Sequence, residues 1–347
     1  MKKVTGRGLA KAAPPEGRPI LADVARLAGV SEITVSRVVR GKGPISEATR
    51  LRVAGAIEAT GYVPNRLAGT LASAGSTLVA VILPSLSNVV FPDVLAGINA
   101  VLGPAGYQPV VGVTGYDPVE EERIVRSLMA WQPAAMIVTG FEHTPATRRL
   151  LEASALRVAE VMDVDTPPID VAVGLSHRTA GYDTGRHLIA RGYRRFGYVG
   201  HDWDKDRRAR LRHDGLVAAL GEAGLSLVAE RRQEGPSSVL AGRDTLAALL
   251  AEADTRPDVV VFSNDDMAVG GLFHCLAAGI VPKRDLGIFG FNGLEIGQAL
   301  PLPLSTVRSD RFLIGRLAAE ALLETPRRPA ESRVIRTGHT IVEGATA

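Results

Sequence analysis

From Ser76 onward the chain alternates between two kinds of segment. Short apolar runs stand at Leu78–Leu83, Pro109–Val113, Ala135–Val138, Val158–Val161, Phe196–Val199, Val259–Phe262 and Leu286–Phe289. Between them lie stretches with helical spacing, such as Glu120–Trp131, Ala180–Arg191 and Met267–Ala278. Continuous apolar runs suit strands buried on both faces, and a helix between consecutive strands is what a parallel crossover needs. About 270 residues is long for one such sheet, so two α/β subdomains with a cleft between them are expected. Ligands bind these sheets beyond the carboxyl ends of the strands. By that rule Ser85, Ser87 and Asn88 follow the first strand, Tyr116 the second, Thr139 the third and Asp163 the fourth, which makes all six candidate binding residues.

The first 76 residues have a different rhythm. Residues 1–19 are rich in Gly, Pro, Ala and charge without apolar periodicity, and read as a disordered basic arm. Val24, Ala25 and Ala28 then share a helical face, Gly29 stops that helix, and Ser31 is placed to cap a second one in which Val35, Val38 and Val39 recur at helical spacing. Gly41-Lys42-Gly43-Pro44 breaks it, Ser46 caps a third helix to about Thr60, and Gly61 ends that. A fourth helical stretch follows Pro64, from Asn65 to about Ala72, and runs into a linker-like Ala74-Gly75-Ser76. The tight Gly-containing turn between the first two helices is that of a helix–turn–helix, whose second helix enters a major groove. Glu32, Ile33 and Arg37 are its base-facing side chains, Arg37 being suited to bidentate contact with guanine, while Thr34 and Ser36 can bond phosphate.

Charge agrees with this division. Residues 1–75 hold 12 Lys and Arg against 5 Asp and Glu, a balance of +7, whereas the remainder hold 28 against 32, a balance of −4. A basic head on an acidic body points to a polyanionic partner for the head alone. Several classes are excluded. Cys275 is the single cysteine, so neither an internal disulfide nor a cysteine-based zinc site can form. The seven histidines lack metal-ligand spacing, and no G-x-G-x-x-G after a strand, Walker motif or G-x-S-x-G elbow occurs, which argues against an enzyme and against a cofactor. No apolar run approaches a membrane span, and no hydrophobic stretch follows the basic start, so a cytoplasmic protein is expected.

The run from Leu21 to Ala72 resembles the DNA-binding head of the lactose-repressor (LacI) family. The resemblance rests on Asp23-Val24-Ala25, Val30-Ser31, Thr34-Val35-Ser36-Arg37-Val38 and Tyr62-Val63-Pro64-Asn65-Arg66. It implies a homodimer on a near-palindromic double-stranded operator and a hinge helix that carries Asn65 and Arg66 and inserts Leu71 into the minor groove. It extends over the remaining chain, where the family has a periplasmic-binding-protein-like core of two Rossmann-type subdomains. The expected organisation is an arm (1–19), a helix–turn–helix domain (20–63), a hinge helix and linker (64–76) and an effector-binding and dimerisation core (77–347). Within that core, one subdomain takes about 77–174 and 307–337, and the other about 175–306 and 338–347.

Within the family the body is most similar to the gluconate-utilisation repressors, through Leu83-Pro84-Ser85-Leu86-Ser87-Asn88, Gly115-Tyr116-Asp117-Pro118, Ser263-Asn264-Asp265-Asp266-Met267 and Gly290-Phe291-Asn292-Gly293 among other segments. That likeness implies a sugar acid, such as gluconate or its phosphate, as the effector that releases the operator. It also implies that Arg212, in Arg212-His213-Asp214-Gly215, meets the effector's acid, with Arg207, Arg208 and Arg210 as near neighbours, and that Asn264 and Asn292 bond its hydroxyls. Asp265 reads instead as part of a helix start. Leu175-Ser176-His177 departs from the acidic or amide residue common at that place in the family.

Overall fold

The computed structural model describes residues 19–63, 76–325 and 328–347, in two compact units divided between Gly75 and Ser76. In the first unit, α1 (Leu21–Ala28) opens where the Asp23 carboxylate accepts the Ile20 N–H at 3.0 Å and closes at Gly29, whose φ of 63° is left-handed. α2 (Glu32–Val39) is capped by Ser31, which accepts the Thr34 N–H, and α3 (Glu47–Thr60) by Ser46, which accepts that of Thr49. Each cap satisfies a helix-end donor within three residues of chain, which is why these boundaries are local properties. Val24, Ala25, Ala28, Val35, Val53 and Ala56 form the buried core, with Val38 and Tyr62 packed on it. Val39, expected to share the inner face with Val35 and Val38, is 38% exposed, because one further residue turns it past the edge of the contact with α3. The stretch 65–72 lies outside the described residues.

The second unit holds two parallel sheets. The first runs β11-β5-β4-β3-β1-β2 and contains β1 (Leu78–Leu83), β2 (Gln108–Val113), β3 (Ala135–Thr139), β4 (Arg157–Asp163), β5 (Val171–Leu175) and β11 (Arg333–Arg336). Its register pairs Leu78 with Gln108 and Val79 with Ala135. The second runs β7-β6-β8-β9, with β6 (Phe196–Gly200), β7 (Leu227–Arg232), β8 (Val259–Phe262) and β9 (Gly287–Phe289). β10 (Thr306–Arg308) and β12 (Thr340–Val342) pair antiparallel as a separate ribbon. The chain passes from the first sheet to the second after β5, returns through β10 to add β11, and leaves again through β12. In both sheets the earliest strand lies inside, with the next strand on one side and the third on the other. The direction of winding therefore reverses at β1 and at β6, and a crevice opens at the carboxyl ends between β1 and β3 and between β6 and β8.

Three helix pairs cover the sheets, and each is closed by reciprocal glycines. α4 (Val90–Leu102) packs on α12 (Arg311–Glu324), where a Cβ at Gly97 would lie 2.1 Å from the Phe312 carbonyl oxygen and one at Gly315 would lie 2.0 Å from that of Val94. α7 (His177–Ala190) meets α8 (Arg207–Glu222) through Gly181 on Arg212 and Gly215 on Arg178, and α9 (Val239–Glu252) meets α10 (Asp265–Ala277) through Gly242 on Met267 and Gly270 on Val239. Backbones this close exchange Cα–H···O contacts that no larger residue permits.

Candidate functional sites

On the head, Glu32, Ile33 and Arg37 are exposed along α2, Ile33 at 67%. Thr34 and Ser36 are half-buried, and the Thr34 hydroxyl lies 2.9 Å from that of Ser31, within the helix cap. The α2 start offers backbone N–H groups as well, which suits phosphate. Asn65, Arg66 and Leu71 lie outside the described residues.

In the body, a cavity of about 330 Å³ opens at the carboxyl ends of both sheets. Ser85, Ser87 and Asn88 come to it from the end of β1, Gly115 and Tyr116 from that of β2, and His201, Lys205 and Asp206 from that of β6. Ser237 and Asp266 close it from the second sheet. The turn after β1 is held by the Ser85 hydroxyl, which accepts the N–H groups of Ser87 and Asn88. Asn88 in turn donates through Nδ2 to the Tyr116 hydroxyl at 3.1 Å, and Tyr116 is held at a φ of 65°. Four of the nine sequence-predicted effector residues thus share this cavity.

The other five stand elsewhere. Thr139 donates to the Ile82 carbonyl and lines a smaller hollow of about 50 Å³ on the far side of Tyr116, together with Arg207 and Arg208. Asp163 is 3.3 Å from Arg207 Nη1, and its pKa is raised to about 6 because burial outweighs the hydrogen bond from Asp165 and the charge of Arg207. Arg212 lies beneath Ser263, donating from Nη2 to its carbonyl at 2.8 Å, and its guanidinium stacks on Phe291 at 4.1 Å. His177 is buried and neutral: burial first, and then Arg212, hold its pKa well below the usual value. Its Nε2 lies 2.8 Å from the Met162 carbonyl and its Nδ1 3.1 Å from Arg212 Nη1. A neutral ring that donates from Nε2 and accepts at Nδ1 satisfies both contacts. Asn264 uses Oδ1 to cap α10 by accepting the Met267 N–H, and is buried. Asn292 bridges through its backbone, donating to Val307 and accepting from Arg311.

His201, Lys205, Asp206 and Ser237 line the cavity without having been named as candidates from the sequence. The first three follow a run already recognised as a strand, so the carboxyl-end rule extended to Phe196–Val199 finds them; Ser237 follows β7, whose Leu-Val-Ala-Glu-Arg-Arg sequence does not announce a strand.

Comparison with known proteins agrees with this architecture. Residues 20–65 match the family described as bacterial regulatory proteins, lacI family, and residues 186–347 match a periplasmic binding protein-like domain. The chain is 41% identical over 312 residues to the HTH-type transcriptional regulator GntR of Pseudomonas aeruginosa, covering 88% of this chain and 89% of that protein. It is 35% identical to the GntR regulator of Escherichia coli K12, over 95% of this chain and 98% of that one. A LacI family transcriptional regulator from Silicibacter pomeroyi, of known crystal structure, superimposes with a TM-score of 0.89 at 44% identity, over 94% of this chain and 99% of the other. A helix–turn–helix head, a two-sheet body with a polar cleft and these relatives converge: the chain belongs to the LacI family of DNA-binding bacterial transcriptional regulators.

Proposed function

We propose that this regulator is a cytoplasmic homodimer that represses sugar-acid catabolic genes from a pseudo-palindromic operator and releases it when gluconate, or its phosphate, occupies the cleft. The observation that carries the reading is the cavity itself. Hydroxyl and amide groups of Ser85, Ser87, Asn88 and Tyr116 face Lys205, and the arginine-rich start of α8 lies beside them. A polyhydroxylated chain needs many convergent donors and acceptors, and a carboxylate or phosphate needs a cation. The cavity of about 330 Å³ is of a size suited to a small metabolite.

In this scheme Glu32, Ile33 and Arg37 read bases, Thr34 and Ser36 position the backbone, and Asn65, Arg66 and Leu71 engage the minor groove. Ser85, Ser87, Asn88, Tyr116, Thr139, Asp163, Asn264 and Asn292 shape the cleft, either at the ligand or behind it. Effector bound between the sheets favours one of their two relative orientations, and operator affinity changes by the difference in effector affinity between them, typically about 1–3 kcal/mol. The relatives are regulators, and the protein turns over no ligand. Fluorescence anisotropy of an operator duplex tests the reading: gluconate or gluconate 6-phosphate should weaken binding about 5- to 150-fold and be recovered unchanged. Release by a neutral sugar but by neither acid would overturn it.

A further inference from the structure

The sugar-acid reading leaves open which cation receives the acid. Arg208 and Arg212 stand one turn apart on the same face of α8, yet they line different hollows. Two nitrogens of Arg212 are occupied, Nη2 by the Ser263 carbonyl and Nη1 by His177; its Nε is buried without an acceptor, but its flat face is covered by Phe291. The space beside it is about 20 Å³, walled by Tyr198, Leu216, Val261 and Phe291. That is room for about one water and for no carboxyl group.

Arg208 is only 8% exposed, and among the described residues its Nε alone has an acceptor, Asp206 Oδ1 at 3.5 Å. Its Nη1 is buried with no acceptor in reach. Asp206 is itself engaged, since Oδ1 accepts the Ala209 N–H that caps α8 and Oδ2 lies 3.4 Å from His201 Nε2. The guanidinium sits 5.6 Å from the Phe91 ring centre and lines the hollow of about 50 Å³ that meets the main cavity at Tyr116, Lys205 and Asp206. A buried cationic donor left without an acceptor is costly, and native proteins supply one. Its place in the first turn of a 16-residue helix adds the positive end of the helix dipole to its own charge.

We propose that Arg208, and not Arg212, receives the acidic group of the effector, a carboxylate or a phosphate, through its unpartnered Nη edge, with Lys205 beside it, while Arg212 is a positioning residue that ties α8 to Ser263 and His177. The assignment rests on the sugar-acid reading above. It makes Arg208 the residue that distinguishes an acid from the neutral polyol of the same length.

Calorimetric titration of the full-length protein tests it, using gluconate, gluconate 6-phosphate and neutral gluconamide against the native chain, Arg208→Gln, Arg208→Lys and Arg212→Gln, each shown by thermal melting to be folded. Losing one charge-assisted pair lowers affinity about 10- to 150-fold. Arg208→Gln should lose that much for at least one acid while keeping gluconamide within about threefold, a change below 1 kcal/mol, and Arg208→Lys should recover part of the loss. A loss confined to the phosphate ester places the phosphate at Arg208; an equal loss for both acids places the carboxylate there. Arg212→Gln should weaken acids and amide together. If Arg208→Gln binds both acids like the native chain, or loses acid and amide equally, the assignment is overturned while the sugar-acid reading stands. If the native chain binds neither acid, both fall.

Discussion

The backbone of Gly181 lies against that of Arg212, so that a Cβ at position 181 would stand 1.9 Å from the Arg212 carbonyl oxygen. Gly215 returns the contact on Arg178 at 2.0 Å. The neighbouring backbone excludes a side chain here, since Gly181 carries no left-handed φ. This contact sets how far α7 stands from α8, and with it the depth at which the Arg212 guanidinium reaches Ser263 and His177.

Gly181→Ala should therefore destabilise the protein by about 1–3 kcal/mol, the usual cost of overpacking, and weaken effector binding by displacing α8. Gly221→Ala on the same helix, where a Cβ meets nothing within 4 Å, should raise stability by about 0.5–1 kcal/mol through helix propensity. Denaturant midpoints of the two variants check the contrast; equal effects would contradict it.

Arg37 is exposed on α2 beside Ile33, and no salt bridge ties it down among the described residues. Arg37→Ala should cost about 1–3 kcal/mol of operator affinity and relax the preference at one base pair of each half-site. Selection from an operator library randomised at each position would reveal it; a uniform loss across sequences would assign Arg37 to phosphate instead.

His143 is enclosed between two carboxylates, with Nδ1 2.6 Å from Glu121 and Nε2 3.4 Å from Glu160. Burial by itself lowers the imidazolium pKa, but the hydrogen bonds and charges of Glu121 and Glu160 prevail and raise it from 6.5 to about 9. The folded pKa exceeds the unfolded one, so this stabilisation is fully present below pH 6.5 and is lost as pH rises through 9. A shift of that size corresponds to about 3 kcal/mol. Urea unfolding at pH 6 and at pH 9.5 should show the loss, and Glu121→Gln should remove much of the difference between them.

Asp265 anchors the start of α10 to the chain returning toward the first sheet, accepting the Thr306 hydroxyl at 2.6 Å and the Leu294 N–H at 2.7 Å. Burial raises its pKa to about 6, against the lowering effect of those bonds. Because the folded value lies above the ordinary 3.8, the buried charge costs stability above pH 6, and the cost fades as pH falls to 3.8. Thr306→Val should cost about 1–3 kcal/mol at pH 8 and less at pH 5, where protonation relieves the unpaired oxygen. Melting temperatures at the two pH values provide the measurement.

The head was legible because its boundaries are set by caps and left-handed glycines within a few residues of chain: Gly29, Ser31, Ser46 and Gly61 each act on their own helix. In the body the apolar runs announced seven strands, β1 to β4, β6, β8 and β9, but passed over the buried inner strand β5 and the edge strand β11. β7, half-exposed and charged toward its end, and the three-residue β10 and β12 were not announced, since their pairing depends on distant partners. The site divides in the same way. Ser85, Asn88 and Tyr116 follow strands directly, so position along the chain places them. Arg208 and Arg212 are four residues apart, and helical spacing cannot separate them; only the Ser263 carbonyl and the His177 ring, brought in by folding, do. Asn264 shows a further ambiguity, since one amide side chain suits both a sugar hydroxyl and a helix cap, and its Oδ1 makes the cap.

The passage of the chain between sheets bears on how the protein is made. β11 joins the first sheet by pairing Arg333 with Val171, and α12 covers the Val94 and Ile98 face of α4. During synthesis the first sheet therefore remains one strand and one helix short until nearly the whole chain has emerged. For roughly 10–50 s at translation rates of about 5–20 residues per second, α4 exposes an apolar face that has no partner yet. The second sheet, by contrast, is contiguous in sequence from Phe196 to Phe289 and can close first. Folding in the cell should thus begin from the middle of the polypeptide, with the earliest-made half waiting, open to chaperones, for the last-made segment.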